Sequence, residues 1–170
     1  MPESLAEKVM GELEHIEELY HRIVILAAPS GSGKTAALQT IQEQIGATLV
    51  NVNLELSRMM LDLTTRQRSL RLPQLLATLV EESDTETVLL DNIEILFCQA
   101  LNQDPLRVLQ GLSRTKTIVA AWNGAVVDGY LVYAESDHPE YRKYPAKDLR
   151  IVRPEASEEV PESEFSGDNE

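Results

Sequence analysis

An uninterrupted apolar run, Ile23–Ala28, leads directly into a short loop that contains two glycines and ends in Lys34 and Thr35. Glycine allows a backbone to turn so tightly that successive N–H groups point at one anion. The helix expected after this loop adds the positive end of its dipole to that field. A strand, a glycine-rich loop and a helix in this order indicate a P-loop, which binds the phosphates of a nucleotide. The residues predicted to contact the nucleotide are Ala28, Pro29, Ser30, Gly31, Ser32, Gly33, Lys34, Thr35 and Ala36.

The polar side chains at the end of this loop have distinct predicted roles. Lys34 supplies a mobile positive charge for the β- and γ-phosphates of ATP, and the hydroxyl of Thr35 is a ligand for Mg²⁺. The strict form of the motif begins with glycine, whereas this chain has Ala28. The turn out of the strand is therefore expected to tolerate a Cβ atom. The alternative to a phosphate site is a glycine-rich turn with no ligand.

A second apolar run ends in Asp91, at a suitable distance after the P-loop for a second Mg²⁺-binding side chain. Such an acid lies where open α/β sheets bind ligands, at the carboxyl edge, although Asp91 could instead cap a following helix. The next residue is Asn92, where hydrolytic P-loop proteins usually place Glu. An amide can orient a water molecule but cannot take its proton at neutral pH.

Two further polar residues are predicted at the same edge of the sheet. Glu94 could reach the γ-phosphate through one water, or it could be an ordinary acid in a first helical turn. Asn123 follows the apolar strand 117–122 and is a candidate sensor of the γ-phosphate. The pair Asn123-Gly124 also fits a tight hairpin turn, and both interpretations remain open at this stage.

Arginines outside the P-loop give two weaker candidates. Arg142 lies between the fourth and fifth predicted strands, where ring-forming ATPases carry a finger for the neighbouring subunit, although it could equally be a solvated surface residue. The segment 64–71 is predicted to be a loop with three arginines. The three side chains are Arg66, Arg68 and Arg71. The segment is either an ordinary exposed loop or a contact for nucleic acid or an acidic partner.

Charge divides the 170-residue chain into a core and two acidic ends. The formal net charge is −13, and residues 155–170 hold seven acids and no base. An acidic surface argues against a non-specific grip on nucleic acid. We expect one P-loop domain over residues 1–153 and an acidic, disordered tail over residues 154–170. The single cysteine, Cys98, is expected in the core, and the composition favours a cytoplasmic protein without a membrane span or signal peptide.

Periodicity predicts an α/β fold. An amphipathic helix over 4–20, with a capping box at Ser4 and Glu7, precedes the first strand. Further buried strands are expected at 48–52, 87–91, 117–122 and 149–152, with helices at 34–45, 54–63, 73–82, 93–101 and 105–112. A hairpin is predicted at Asp128-Gly129, and 138–144 is expected to be a short helix or irregular. Residues 131–133 follow residue 122 too closely to form the fifth parallel strand.

The segments 28–35, 89–94, 121–124, 130–135 and 138–142 together resemble the small P-loop protein of type 3 BREX phage-defence systems (BrxF). The resemblance covers about residues 5–152. It implies an AAA-like three-layer P-loop fold with a five-stranded parallel sheet of order 5-1-4-3-2. In contrast to ordinary AAA ATPases, we expect no helical lid domain in this chain. The resemblance also implies a cytoplasmic setting and work beside a larger ATPase, a DNA methyltransferase and a phosphatase-like protein.

The leading functional prediction is a slow ATPase that binds ATP and Mg²⁺, assembles into homo-oligomers with nucleotide, and serves a defence complex. The catalytic set is predicted to be Lys34, Asp91, Asn92, Glu94, Asn123 and Arg142, with Thr35 and Asp91 at the metal. A scaffold or switch that binds nucleotide without hydrolysing it is the alternative. A small-molecule kinase is disfavoured because no arginine-rich lid follows the core. Direct contact with DNA is only weakly supported.

Overall fold

The predicted buried strands lie side by side in one parallel sheet in the computed structural model, which describes residues 4–134 and 138–154. The structure contains seven strands and five α-helices within these residues. In chain order they are α1 (Leu5–Leu13), β1 (Ile23–Ala28), α2 (Lys34–Ile45), β2 (Thr48–Asn51), α3 (Val52–Met59), α4 (Thr65–Glu81), β3 (Thr87–Asp91), α5 (Pro105–Leu112), β4 (Thr117–Val127), β5 (Tyr130–Tyr133), β6 (Arg142–Pro145) and β7 (Arg150–Val152).

The strand order of the parallel sheet is β2-β3-β4-β1-β7. Counting only parallel strands, this is the predicted order 5-1-4-3-2, with β7 as the fifth strand. Ala28 at the end of β1 lies beside Asn123 of β4, and Asp91 at the end of β3 lies beside Asn51 of β2. The register therefore brings the ends of β1 and β3 and the middle of β4 to one edge, where open α/β sheets bind ligands.

Helices cover both faces of this sheet and produce the predicted three layers. One face packs against α1 and α2 through aliphatic residues such as Val9, Leu38 and Ile41. The other face packs against α3, α4 and α5 and contains the larger side chains Trp122 and Phe97. Strands buried on both sides explain the continuous apolar runs in the sequence.

Strand β4 extends beyond the parallel sheet and pairs with β5 in an antiparallel hairpin, and β5 then pairs with β6. The hairpin turns at Asp128 and Gly129, whose φ angles of +52° and +81° suit the predicted two-residue turn. The prediction that residues 131–133 do not form the fifth parallel strand is confirmed. A small three-stranded antiparallel sheet thus projects from the carboxyl edge.

The prediction of a loop over 64–71 is wrong, because α4 begins at Thr65. Thr64 and Gln67 form a capping box that starts the helix ahead of the arginines. Pro73 lies inside α4 rather than in its first turn, and it leaves the Ser69 carbonyl without a helical N–H donor. Gln103 Nε2 donates to this carbonyl at 2.7 Å, which lets the helix continue through the proline.

Other boundaries also differ from the predictions, and α3 spans Val52–Met59 rather than 54–63 because the Asn51 side chain caps it by accepting from Leu54 N. The first helix ends at Leu13 and a 3₁₀ turn follows at Ile16–Glu18, so Tyr20 is 83% exposed and lies off the apolar face. Residues 93–101 form two short 3₁₀ turns, Glu94–Phe97 and Gln99–Leu101, rather than one helix, because Cys98 between them has an extended backbone with a ψ angle of 124°. Residues 142–145 form β6, because β5 offers a free edge for pairing.

No helix in the described residues is both long enough and apolar enough to cross a lipid bilayer. The predicted tail lies outside the described residues beyond Pro154, so its disorder stays a prediction.

Candidate nucleotide-binding site

The loop between β1 and α2 has the backbone geometry that the sequence predicts. Gly31 and Gly33 have φ angles of +80° and +95°, a region that residues with a Cβ atom rarely adopt. Ala28 is not among the residues with positive φ and ends β1 in the parallel sheet. The alanine at the first motif position is therefore compatible with the loop.

Lys34 folds back over the loop. Its Nζ donates to the carbonyl oxygens of Ala28 at 2.9 Å and Pro29 at 2.7 Å, and the residue is only 7% exposed. Burial lowers the pKa of Lys34, while the charges of Asp91 and Glu94 oppose this shift. The two carbonyl acceptors and the two nearby carboxylate charges hold the Lys34 side chain at the position where nucleotide phosphates would arrive.

Thr35 and Asp91 meet across the edge of the sheet. The Thr35 hydroxyl donates to Asp91 Oδ2 at 2.7 Å, and Asp91 is itself buried. Mg²⁺ prefers oxygen ligands and commonly takes only one or two from the protein beside phosphate and water oxygens. This pair fits such a site, because a hydroxyl and a carboxylate lie within one hydrogen bond of each other. No cluster of three or more His, Cys, Asp or Glu side chains occurs among the residues that the structure describes.

The backbone of Asn92 has a structural role at this edge of the sheet. Its φ angle is +55°, its N–H donates to Asp91 Oδ1 at 3.0 Å, and its carbonyl accepts from Asn53 N at 3.0 Å. Asparagine is among the residues that tolerate this left-handed conformation best, whereas glutamate lacks that advantage. The residue at this position therefore orients Asp91 as well as lining the cavity.

Glu94 and Asn123 form a side-chain pair at the other end of the site. Asn123 Nδ2 donates to Glu94 Oε2 at 2.5 Å. Asn123 lies within β4, so the pair Asn123-Gly124 is not the turn of a hairpin. Glu94 begins the 3₁₀ turn that follows β3, and its carboxylate faces the same space as Lys34.

These groups surround one open cavity of about 480 Å³. Its size is within the range of small-ligand sites. Ala121 also lines it and was missed from the sequence, because a small residue in a buried strand gives no polar signal. The lining residues are Ser30, Gly31, Gly33, Lys34, Thr35, Asp91, Asn92, Glu94, Ala121 and Asn123. Four of the predicted contacts do not line the cavity: Ala28, Pro29, Ser32 and Ala36. The carbonyls of Ala28 and Pro29 nevertheless accept hydrogen bonds from Lys34.

Arg142 lies away from this cavity. It is half-buried in β6, and its Nη2 donates to the carbonyl of Gln103 at 2.9 Å. Its partner Gln103 is the same residue that supports α4 at Pro73. In the monomer Arg142 therefore contacts the loop before α5 rather than the phosphate site.

An aromatic cluster supports the Glu94 end of the cavity. Phe97 stacks on Tyr133 with ring centroids 3.5 Å apart, and Trp122 meets both rings edge to face. Burial, with additional contributions from the charges of Glu94 and Glu140, raises the pKa of Tyr133 to about 12. The cluster joins the 3₁₀ turn of Glu94 to the antiparallel hairpin.

The sheet order, the loop after β1 and Asp91 at the end of β3 define an AAA-like P-loop fold, the fold of P-loop NTPases. No family model matches the sequence, and no curated protein matches it. Among solved structures the chain is similar to one titled "Structure of C. elegans PCH-2", with 16% sequence identity and a TM-score of 0.41. The match covers 88% of this chain and 39% of that chain, so this chain spans about two fifths of that protein's length.

Proposed function

We propose that the protein binds ATP with Mg²⁺ in this cavity and hydrolyses it slowly. The convergence of Lys34, the Thr35–Asp91 pair and the Glu94–Asn123 pair on one space supports the proposal. Loop N–H groups and Lys34 would hold the phosphates, with Thr35 and Asp91 at the metal. Bound Mg²⁺ would neutralise charge on the phosphates, as it does in P-loop NTPases generally.

Glu94 is the residue that we propose as the base for the attacking water. Asn92 cannot take a proton at neutral pH, whereas Glu94 carries a carboxylate into the same cavity. Asn123 donates to one oxygen of Glu94, which leaves the other oxygen available to a water. Asn123 is thus proposed to position Glu94 and to sense the γ-phosphate when it arrives. Slow turnover follows, because the base lies two residues away from its usual position in hydrolytic P-loop proteins.

Phosphate release by the isolated protein tests this assignment. Turnover is expected below about 1 per second, against about 10 per second for a typical enzyme. Glu94→Gln should lower the rate at least tenfold with unchanged ATP affinity, and Asp91→Ala should lower both. Glu43→Gln, on the exposed side of α2, is the matched control. Equal rates in Glu94→Gln and wild type would reject Glu94 as the base.

The alternative function is a nucleotide-dependent scaffold or switch. Asn92 at the usual glutamate position favours it, because binding requires only the P-loop, Thr35 and Asp91. A protein that binds ATP but releases no phosphate above the level of Asp91→Ala would establish this alternative. A small-molecule kinase remains the third and least favoured function.

We also propose that ATP favours homo-oligomers, in a ring or arc. The phosphate cavity is open on one side, and a neighbouring copy could supply both a cover and a positive charge. Arg142 is the proposed arginine finger, the side chain that reaches into the nucleotide site of a neighbouring copy. To do so it would have to break its hydrogen bond to the Gln103 carbonyl and bind the γ-phosphate held by that neighbour. Light scattering with and without ATP and Mg²⁺ should show a larger mass with nucleotide. A monomer under both conditions would reject assembly, and unchanged turnover in Arg142→Ala would reject the finger alone.

The resemblance of the motifs to the small P-loop protein of type 3 BREX systems supports a cytoplasmic role in phage defence. The proposed partners are the larger ATPase, the DNA methyltransferase and the phosphatase-like protein of such a system. Plaque counts on cells carrying the complete system with Lys34→Ala, compared with wild type, test this role. Equal protection by both would reject a nucleotide-dependent contribution.

A further inference from the structure

A second cavity, of about 310 Å³, lies beside the candidate nucleotide site between α3, α4 and the 3₁₀ turns that follow β3. Its wall is largely apolar and includes Met60, Leu61, Ile95 and Leu101. Leu61 is 72% exposed and extends the apolar surface of this wall towards solvent. The proposed nucleotide function does not use this cavity.

Arg68 lines this cavity, and α4 carries two further arginines near it, although the whole chain is strongly acidic. Between residues 58 and 80 the sequence has four arginines and a single acid, Asp62, and one of the four, Arg58, forms an ion pair with Glu55 at 3.6 Å. Arg68 lines the cavity and donates to the carbonyls of Leu63 at 3.0 Å and Leu61 at 3.4 Å, which leaves further N–H donors of its guanidinium. Arg66 and Arg71 lie on α4 on either side of Arg68 and outside the cavity lining; both are exposed, and no ion pair within the described residues neutralises either.

An apolar wall lined by one arginine, with two exposed arginines nearby on the same helix, fits a peptide that carries a large apolar side chain among carboxylates. The chain itself contains such a segment in residues 155–170, with seven acids, no base, and Phe165 among them. Phe165 is 11 residues beyond Pro154, a length that reaches about 36 Å when extended. The parallel sheet of five strands is only about 19 Å across, so the segment can reach from β7 to the far side.

We propose that the acidic segment 155–170 docks in this cavity of its own chain, with the Phe165 side chain against the apolar wall and carboxylates beside Arg66, Arg68 and Arg71. Ile95 lines the docking cavity and its neighbour Glu94 lines the nucleotide cavity, within the same 3₁₀ turn. Occupation of the docking cavity would therefore act directly on the segment that holds Glu94.

Cys98 provides the readout, because it is the single cysteine of the chain and lines the docking cavity. The experiment measures how fast N-ethylmaleimide modifies Cys98 in the full chain without nucleotide. The reagent is uncharged, so changes at arginine do not alter its approach by charge. Because nucleotide is absent, the result does not depend on the proposed ATP function.

A docked segment should protect Cys98, so Phe165→Ser and the double variant Arg66→Glu with Arg71→Glu should each raise the rate at least threefold. Phe165→Leu, which keeps an apolar side chain, should remain close to wild type. Arg107→Glu with Arg114→Glu controls for a general change of charge, since both residues are exposed and outside the cavity lining. Salt at 0.5 M should accelerate wild type much more than the arginine variant.

Equal rates in wild type and Phe165→Ser would overturn the proposal, whatever the arginine variants show. A wild-type rate that rises on tenfold dilution of the protein would also overturn it, because the occupant would then belong to a second copy. Melting temperatures identify any variant that fails to fold. Phe165→Ser lies outside the described domain and tests the proposal alone if the arginine variant does not fold.

Discussion

The two ends of the nucleotide cavity are built in different ways. At the proposed phosphate end, the loop and Lys34 lie within nine consecutive residues, 28–36. The shape of this end depends mainly on the backbone, through the positive φ angles of the two glycines and the carbonyls that accept from Lys34. At the other end, Glu94 and Asn123 are 29 residues apart and meet only because β3 and β4 are neighbours. Local chain geometry would determine the proposed phosphate binding, whereas the proposed chemistry depends on the packing of the whole sheet and its hairpin.

The largest expected effect falls on the phosphate end. Lys34→Ala should weaken ATP binding at least a hundredfold in a calorimetric titration, because it removes the one buried cation of the cavity among the described residues. Lys147→Ala is the control, since Lys147 is exposed beyond β6. Lys34→Ala should keep the melting temperature of wild type. Equal ATP affinity in Lys34→Ala and wild type would show that the loop backbone alone determines binding.

The next effect concerns the strand that carries Asn123. A Cβ atom at Gly124 would lie 1.9 Å from the Val132 carbonyl oxygen, so Gly124→Ala must push β4 and β5 apart. We expect a loss of about 3 kcal/mol in the free energy of unfolding, because the clash is with backbone. The hydrogen bond from Trp122 Nε1 to the same carbonyl would also be weakened.

Gly111→Ala is the matched control for this loss, measured by the same urea titration. No atom lies within 4 Å of a Cβ there, and the residue is in α5, so alanine should stabilise the protein by about 0.5 kcal/mol. A Gly124→Ala protein as stable as wild type would mean that β4 and β5 are not tightly coupled.

The smallest expected effect concerns Tyr133 beneath Glu94. Its pKa is raised to about 12 in the folded protein, against about 10 in the unfolded chain. This difference contributes stability that is complete below pH 10 and disappears as the pH rises through 12. Between pH 9 and pH 11 the free energy of unfolding should therefore fall by about 1 kcal/mol more in wild type than in Tyr133→Phe.

Unfolding of wild type and Tyr133→Phe is measured by urea titration at each pH, and the difference between the two proteins isolates the contribution of Tyr133. Identical pH dependence in Tyr133→Phe and wild type would show that the aromatic cluster does not exclude water from Tyr133.

The sequence predicts best what depends on neighbours along the chain. The P-loop, the capping box of α1, the turn at Asp128-Gly129 and the parallel order of the strands all agree with the structure. A proline is usually expected in the first turn of a helix or outside it. In α4, however, Gln103 donates the hydrogen bond to the Ser69 carbonyl that Pro73 cannot donate, so the continuation of this helix through Pro73 could not be predicted from its own residues. The same limit applies to Asn123, whose residue pair fits a turn but whose place in β4 depends on β1 and β5.

The position of Asn123 inside a strand also bears on the chemical ageing of the protein. Asn-Gly sequences in flexible chains lose ammonia when the glycine nitrogen attacks the side-chain amide, and asparagine is for this reason a thermolabile residue. Here Gly124 is part of β4 and pairs with Tyr133 of β5, and the Asn123 amide donates a hydrogen bond to Glu94. The ring closure that deamidation requires is therefore hindered in the folded state. A molecule that had aged while unfolded would place a second carboxylate against Glu94, and like charges would then separate the two side chains.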